Sequence, residues 1–156
     1  MLHAWRVVKR RHRRPAFDGE GARRLGGRWN SPGTRVVYCS ESLALATLEI
    51  LVHLGDSTVF SSYVAFPLGI PEALIENVAL KRLPTGWKTF PAPRALQRTG
   101  DEWVKEERSA VLRVPSALVP IESNLLLNPA HPDWRKIRIG RARAFRLDNR
   151  LIKRTP

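Results

Sequence analysis

GGRWNSPGTRVVYCSESLALATLEILVH, residues 26–53, is the stretch from which the fold of this chain can be worked out. Its glycines and its proline predict turns over residues 26–33. Residues 35–39 are rich in β-branched side chains and predict a short strand. Ser40 or Ser42 can cap the helix that the apolar residues 43–54 predict. A loop, a strand and a helix therefore follow one another directly.

The predicted helix is apolar on nearly every face, and such a helix is expected to be buried. Glu49 lies in its middle. A carboxylate in apolar surroundings needs a partner, because desolvating a lone charge costs several kcal/mol. Two interpretations follow. Glu49 forms a structural ion pair, for which Arg28 is one available partner, or it is a catalytic carboxylate on the wall of a cleft.

Short strands dominate the rest of the chain. Their predicted ranges are 2–8, 58–66, 75–80, 110–114, 119–127 (bent) and 137–145, and a second helix is predicted over 93–107. Many short strands with two helices predict an α+β fold rather than a regular βαβ series. At 156 residues the chain is expected to be a single domain over 1–156. Its core is expected over about 5–145, with a basic tail over 146–156.

Charge is the most unusual bulk property. The chain has 27 lysines and arginines against 14 aspartates and glutamates, a net charge of +13. This excess predicts attraction to a polyanion: nucleic acid, a phosphorylated ligand or an acidic protein. The run KRRHRR, residues 9–14, is the main nucleic-acid candidate. A solvated loop is the alternative for it, since no aromatic residues interleave with the run for base stacking.

Several classes of protein are disfavoured by what the sequence lacks. The single Cys39 excludes a disulfide framework and indicates a reducing cytoplasm. No apolar run approaches the roughly 20 residues that span a bilayer, so no membrane association is expected. The histidines are scattered, and no zinc-site spacing predicts a metal centre. The nucleophile-elbow, dinucleotide-binding and Walker motifs are absent as well.

Several motifs resemble the RES-domain family in their order and spacing, from about residue 5 to residue 145. They are GGRWNSPG at 26–33, VY at 37–38, LE at 48–49, LRVPS at 112–116 with Pro120 and Glu122, and NLLLNPAHP at 124–132. The family name abbreviates an arginine, a glutamate and a serine. Arg28 and Glu49 match the first two. Ser116 is the match chosen for the serine, and Ser109 is its competitor.

The resemblance implies a toxin of a bacterial type II toxin–antitoxin pair. It implies a fold like that of ADP-ribosyltransferases, with short, mostly antiparallel strands around a buried central helix. NAD+ is the implied substrate, and no metal is needed. The acceptor of the ADP-ribosyl group stays open between water, phosphate and a protein side chain. The implied partner is an Xre-like antitoxin that covers the active site, and nucleic acid is expected only through that antitoxin.

The resemblance also implies roles for individual residues. Cleavage of the nicotinamide–ribose bond develops positive charge on the ribose, which Glu49 would stabilise. Arg28 would clamp the pyrophosphate. Tyr38 would orient the nicotinamide end, and Ser116 would donate one orienting hydrogen bond. The residues implied to contact NAD+ are Gly27, Arg28, Asn30, Ser31, Tyr38 and Asn124.

A basic toxin that acts on nucleic acid, either a ribonuclease or a DNA-binding module, is the alternative function. It explains the net charge directly and leaves Glu49 structural. The position of the charge distinguishes the two functions. A continuous exposed stripe favours nucleic acid, whereas arginines that converge beside Glu49 favour NAD+.

Overall fold

The structure is a computed structural model that describes residues 1–54 and 62–151. Within these ranges an eight-stranded sheet carries three α-helices and several short 3-10 turns. The strands are β1 (Leu2–Lys9), β2 (Val37–Ser40), β3 (Tyr63–Ile70), β4 (Ile75–Asn77), β5 (Val111–Pro115), β6 (Ser123–Leu127), β7 (Arg138–Ile139) and β8 (Arg143–Phe145). The helices are α1 (Glu20–Leu25), α2 (Leu43–Leu51) and α3 (Arg94–Lys105). The predicted α+β class is confirmed.

The sheet has the order β4-β5-β6-β2-β1-β3-β7, and β8 also pairs with β3. Every pairing is antiparallel except that of β4 with β5. The mostly antiparallel sheet that the family resemblance implies is therefore present. β2 lies near the middle, with Ser40 opposite Trp5 of β1 and opposite Asn124 of β6. Because side chains alternate along a strand, Tyr38 and Ser40 point to the same face of the sheet.

Each face of the sheet carries its own hydrophobic core. One core includes Val37 and Cys39 of β2. The core on the other face includes Trp29, Leu96 and Trp103. Leu96 and Trp103 are the large side chains that α3 buries in this core. The loop that carries Trp29 is thereby packed between the sheet and α3.

The prediction that the central helix is buried on all sides is wrong. Ser42 caps α2, accepting the Leu45 N–H at 3.0 Å, but only Leu45 and Ala46 of this helix are buried. Leu48 is 42% exposed and Val52 is 56% exposed. The reason is geometric: α2 packs on β1 and β2 along one side, and a single layer of sheet covers only that side.

The strand predicted over 58–66 does not end before Pro67, because β3 continues through Pro67 to Ile70. Residues 58–61 of that predicted strand lie outside the described residues. Pro67 has no N–H to donate toward the outer edge of the sheet, where its carbonyl accepts the Gly140 N–H at 2.8 Å. The ladder is interrupted there, so the strand predicted over 137–145 is divided into β7 and β8. None of the helices in the described parts of the chain is long and apolar enough to cross a membrane.

Candidate active site

Glu49 of α2 is held by side chains from two neighbouring elements. Its Oε1 accepts hydrogen bonds from the Ser116 hydroxyl at 3.1 Å and from the Asn124 amide at 2.6 Å. The Asn124 carbonyl oxygen in turn accepts the Ser40 hydroxyl at 2.7 Å. We call these four residues the Glu49 cluster. They come from α2, β2, β6 and the turn after β5.

The Ser116 hydroxyl has only one arrangement of its hydrogen bonds. Its oxygen accepts the backbone N–H groups of Leu118 and Val119, both at 3.1 Å, and the residue is fully buried. A hydroxyl has one proton and two lone pairs, so its proton is directed at Glu49. Ser109, the competing serine, accepts the Trp103 indole N–H at 2.8 Å and donates to the Val111 carbonyl. Ser116 is therefore the serine that lies beside Glu49.

No cation neutralises Glu49 among the described residues. The salt bridges there join other acids, and Arg28 is not a partner of Glu49. The interpretation that these two residues form a structural ion pair is wrong. Glu49 is half-buried, and its Oε2 accepts no hydrogen bond from the described part of the chain. A carboxylate held in this way by neutral donors can stabilise a positive charge that develops beside it.

Arg28 anchors a second loop. One terminal nitrogen, Nη1, donates to the carbonyls of Trp87 and Thr89 at 2.8 and 2.9 Å. The other guanidinium nitrogens make no hydrogen bond with the described residues. Arg28 is half-buried, so these nitrogens remain available to an anion that approaches from solvent.

Asn30 and Tyr38 hold together, through hydrogen bonds, the loop of residues 26–33, which we call the glycine loop. Asn30 is fully buried, its amide N–H groups donate to the carbonyls of residues 22, 31 and 34, and its oxygen accepts the Tyr38 hydroxyl at 2.7 Å. The same hydroxyl accepts the Trp29 N–H at 3.1 Å. Burial raises the pKa of Tyr38, so the hydroxyl stays protonated and keeps donating. The Asn30 amide and the Tyr38 hydroxyl are therefore both engaged in hydrogen bonds that hold the loop.

The close approach of Tyr38 to the glycine loop explains why residue 27 is a glycine. A Cβ at Gly27 would lie 2.6 Å from the Tyr38 hydroxyl oxygen. Its N–H donates to the Asn30 carbonyl at 2.9 Å, so it does not point at a ligand in this structure. The Ser31 N–H donates to the Asp101 carboxylate at 2.9 Å, and its hydroxyl has no partner in the described residues.

β2 joins the glycine loop to the Glu49 cluster. Tyr38 and Ser40 are two residues apart on one face of the strand, about 7 Å along it. The sequence-predicted site residues thus form two groups on the same face, one around Arg28 and one around Glu49. Ser40 was not predicted to belong to the site. The alternation of β2, which puts it on the face of Tyr38, is the signal that could have found it.

A cavity of about 410 Å³ lies elsewhere, between α2 and the C-terminal residues. It is lined by Ala44, Thr47, Leu48, Leu51, Phe145, Arg146, Leu147, Asp148 and Leu151. By the 3.6-residue helical repeat, these α2 positions lie on the side away from Glu49. The cavity is therefore separate from the candidate site. The described residues include no group of three His, Cys, Asp or Glu side chains that could hold a metal ion.

Comparison with known proteins assigns the family. The model of the RES domain matches residues 3–148, nearly the whole chain. The chain belongs to the RES-domain family. This RES-domain chain is 42% identical over 130 residues to "Toxin Res" of Yersinia enterocolitica, an alignment that covers 83% of this chain and 86% of the relative. It is 36% identical over 155 residues to the "Prs ADP-ribosylating toxin" of a Sphingobium species, covering 96% of both chains. By family it is a RES toxin.

A solved structure shows the same fold for the RES domain. One chain of the M. tuberculosis MbcT–MbcA toxin–antitoxin complex superposes with a TM-score of 0.77. The match covers 92% of this chain and 84% of that chain at 16% sequence identity. At this identity the likeness establishes the fold alone.

Proposed function

We propose that this RES toxin consumes NAD+ in the cytoplasm by cleaving the nicotinamide–ribose bond. No arginine of the described residues pairs with Glu49, so the position of the charge does not by itself favour NAD+. The observation that carries the proposal is the Glu49 carboxylate, which two neutral donors hold. Loss of nicotinamide makes the ribose oxocarbenium-like, and a fixed carboxylate stabilises that charge without reorganising.

The other residues of the candidate site are proposed to position Glu49 or to bind NAD+. Ser116 and Asn124 hold Oε1, which leaves Oε2 for the ribose. The unengaged nitrogens of Arg28 bind the pyrophosphate as a forked donor. Tyr38 borders the nicotinamide end through its ring, since its hydroxyl is occupied. Gly27 and Asn30 shape the loop, and Ser31 offers its hydroxyl to the substrate.

The ADP-ribosyl group that cleavage releases has three candidate acceptors. The relative from Sphingobium is named as an ADP-ribosylating toxin, which supports transfer to a protein. Water and phosphate are the other two acceptors. All three share the cleavage step that Glu49 assists, so the proposal about Glu49 does not depend on which acceptor is used.

The proposed partner is a cognate, Xre-like antitoxin. The structural neighbour is part of a toxin–antitoxin complex, which supports a partner of this kind. The net charge of +13 favours an antitoxin surface rich in aspartate and glutamate. We propose that a segment of it covers the Glu49 cluster. NAD+ and the antitoxin would then weaken each other's binding by the same factor.

A time course with purified protein tests the proposal. NAD+ and its products are followed in buffer, with added phosphate, and with a cell extract and labelled NAD+. We expect loss of NAD+ and release of nicotinamide in at least one condition. Free ADP-ribose identifies water as acceptor, its 1-phosphate identifies phosphate, and labelled protein identifies transfer. NAD+ that stays intact in all three conditions would overturn the proposal.

A further inference from the structure

The basic run of residues 9–14 forms an exposed corner at the end of β1. Residues 10–12 make one 3-10 turn, and the run continues without a buried residue to position 14. Its four arginines, Arg10, Arg11, Arg13 and Arg14, are all exposed. None of these four arginines has a role in the catalytic site proposed above.

A second set of arginines follows the outer edge of the sheet. β7 and β8 pair in succession with β3 and so cover its free side. Arg138, Arg141, Arg143 and Arg146 lie along them, and all four are exposed. These pairings extend along β3 from Gly69 to Tyr63, about 20 Å at roughly 3.3 Å per residue.

The two sets meet at one corner. The Arg10 N–H donates to the Ser62 carbonyl at 2.8 Å. Phe145 pairs with Tyr63, so continuing this register by one residue puts Arg146 opposite Ser62. Arg10 and Arg146 are therefore about two strand spacings apart, roughly 10 Å. We call the eight arginines together the basic edge.

The charge of the basic edge is not neutralised by the described residues. None of its eight arginines forms a salt bridge there, whereas Arg23, Arg24 and Arg35 share Glu20. Of the 14 acidic residues of the chain, only Asp56 lies outside the described ranges. Other exposed cations also lack a salt bridge, such as Arg94 and Arg98 of α3, but the basic edge brings eight arginines together along two connected segments.

The basic edge is poor in apolar anchors. Among its residues and those between them, Ile139 is the one large hydrophobic side chain that is exposed, at 41%. Protein interfaces depend on buried aromatic or aliphatic anchors, and this surface offers few of them. Positive residues also protect edge strands from pairing with other chains. That explanation applies to β7 and β8 but does not account for the four arginines that follow β1.

We propose that the basic edge binds the phosphate backbone of double-stranded nucleic acid without sequence preference. Arginine forks match phosphate oxygens, and eight of them offer several contacts at once. Aromatic residues are missing from the run 9–14, which disfavours single strands, because these are held by base stacking. The cavity beside Phe145 and Leu147 lies on the side of α2 away from Glu49, so the basic edge is separate from the Glu49 cluster. The inference does not rest on NAD+ cleavage.

The test compares two variants with the same change in charge. One replaces Arg10, Arg11, Arg13 and Arg14 with Gln. Its control replaces Lys81 and Arg82 of the 3-10 turn Leu80–Arg82, and Arg94 and Arg98 of α3, with Gln. All four are exposed and have no salt-bridge partner among the described residues. Binding to a labelled duplex of ~20 base pairs and arbitrary sequence is measured between about 50 and 200 mM salt.

Wild-type affinity should fall steeply with salt. The first variant should bind at least ~10-fold more weakly with a shallower salt slope, and the control should stay within about threefold of wild type. All three should process NAD+ equally, which separates this inference from the proposed function. No wild-type binding at the lowest salt, or equal losses in both variants, would overturn it. So would a first variant that keeps its affinity for the duplex but no longer binds the antitoxin, because the surface would then belong to that protein.

Discussion

Ser116 and Ser109 make a matched pair at the scale of single residues. Ser116 is buried and Ser109 is half-buried, and both hydroxyls donate and accept hydrogen bonds, but only Ser116 contacts Glu49. Replacing either with Ala leaves a buried group unpaired, which costs about 1–3 kcal/mol of unfolding free energy. We predict that only Ser116→Ala also slows NAD+ cleavage by folded protein. Equal rates for the two variants, with stability measured in parallel, would contradict this.

Arg28 permits a second residue-scale prediction. Arg28→Lys keeps the charge but cannot hold two carbonyls and a pyrophosphate at once, because an ammonium lacks the planar fork. We expect NAD+ affinity to fall about tenfold or more, the effect of losing one charged hydrogen bond. Calorimetry in a Glu49→Gln background avoids turnover, and Arg94→Lys is the control. Unchanged affinity would leave Arg28 with its anchoring role for residues 87–89 alone.

The sequence indicated some residues of the candidate site but not the hydrogen-bond partners of others, for a physical reason. Glu49 stands out because a carboxylate in an apolar helix is costly, and the family motif names it as well. Asn30 was predicted to contact NAD+, yet its amide is consumed inside the loop. Ser40 was noted only as a possible helix cap. Hydrogen bonds between residues distant in sequence decide such roles, and no local pattern encodes them.

Packing of α3 against the glycine loop supplies a prediction at the scale of elements. A Cβ at Gly100 would lie 1.8 Å from the Trp29 carbonyl oxygen, so no side chain fits there. Gly100→Ala should destabilise the fold by about 1–3 kcal/mol or more, as overpacking does. Gly21→Ala in α1 is the control, since its Cβ meets nothing within 4 Å. It should be neutral or stabilising by up to ~1 kcal/mol. Equal unfolding midpoints in denaturant for Gly100→Ala and Gly21→Ala would contradict the close approach of Gly100 to the Trp29 carbonyl.

Gly100 also shows why element boundaries and packing were harder to predict than element types. The glycine at that position raises the expectation of an interrupted helix, but α3 runs through it unbroken. The helix needs glycine there for contact with another element, not for a turn. The half-exposed α2 has a related cause. Its apolar composition indicates burial, but the number of layers around a helix depends on the whole topology.

Charge pairing at the scale of the whole molecule leads to a pH prediction. Glu20 holds Arg23, Arg24 and Arg35 together, and its hydrogen bond to Arg23 contributes most to lowering its pKa to about 2. Because the folded pKa lies below the ordinary value of 4.5, the stabilisation is present above pH ~4.5 and is lost as the pH falls toward 2. Glu20→Gln should therefore melt lower than wild type at pH 7, and the difference should shrink below pH ~4.5 and be small by about pH 2. A difference in melting temperature that is independent of pH would contradict this.

The most direct test of the proposed catalytic role compares Glu49→Gln with Glu122→Gln. Glu122 is a neighbouring half-buried carboxylate that accepts the Ser42 hydroxyl at 3.0 Å and lies outside the Glu49 cluster. The measurement is the rate of nicotinamide release from NAD+ by purified variants whose melting temperatures are recorded alongside. We predict that Glu49→Gln remains folded and loses roughly 100-fold or more of the rate, as when a preorganised electrostatic group is removed. Glu122→Gln should keep most of the rate. A folded Glu49→Gln protein that releases nicotinamide at the wild-type rate would contradict the role assigned to Glu49.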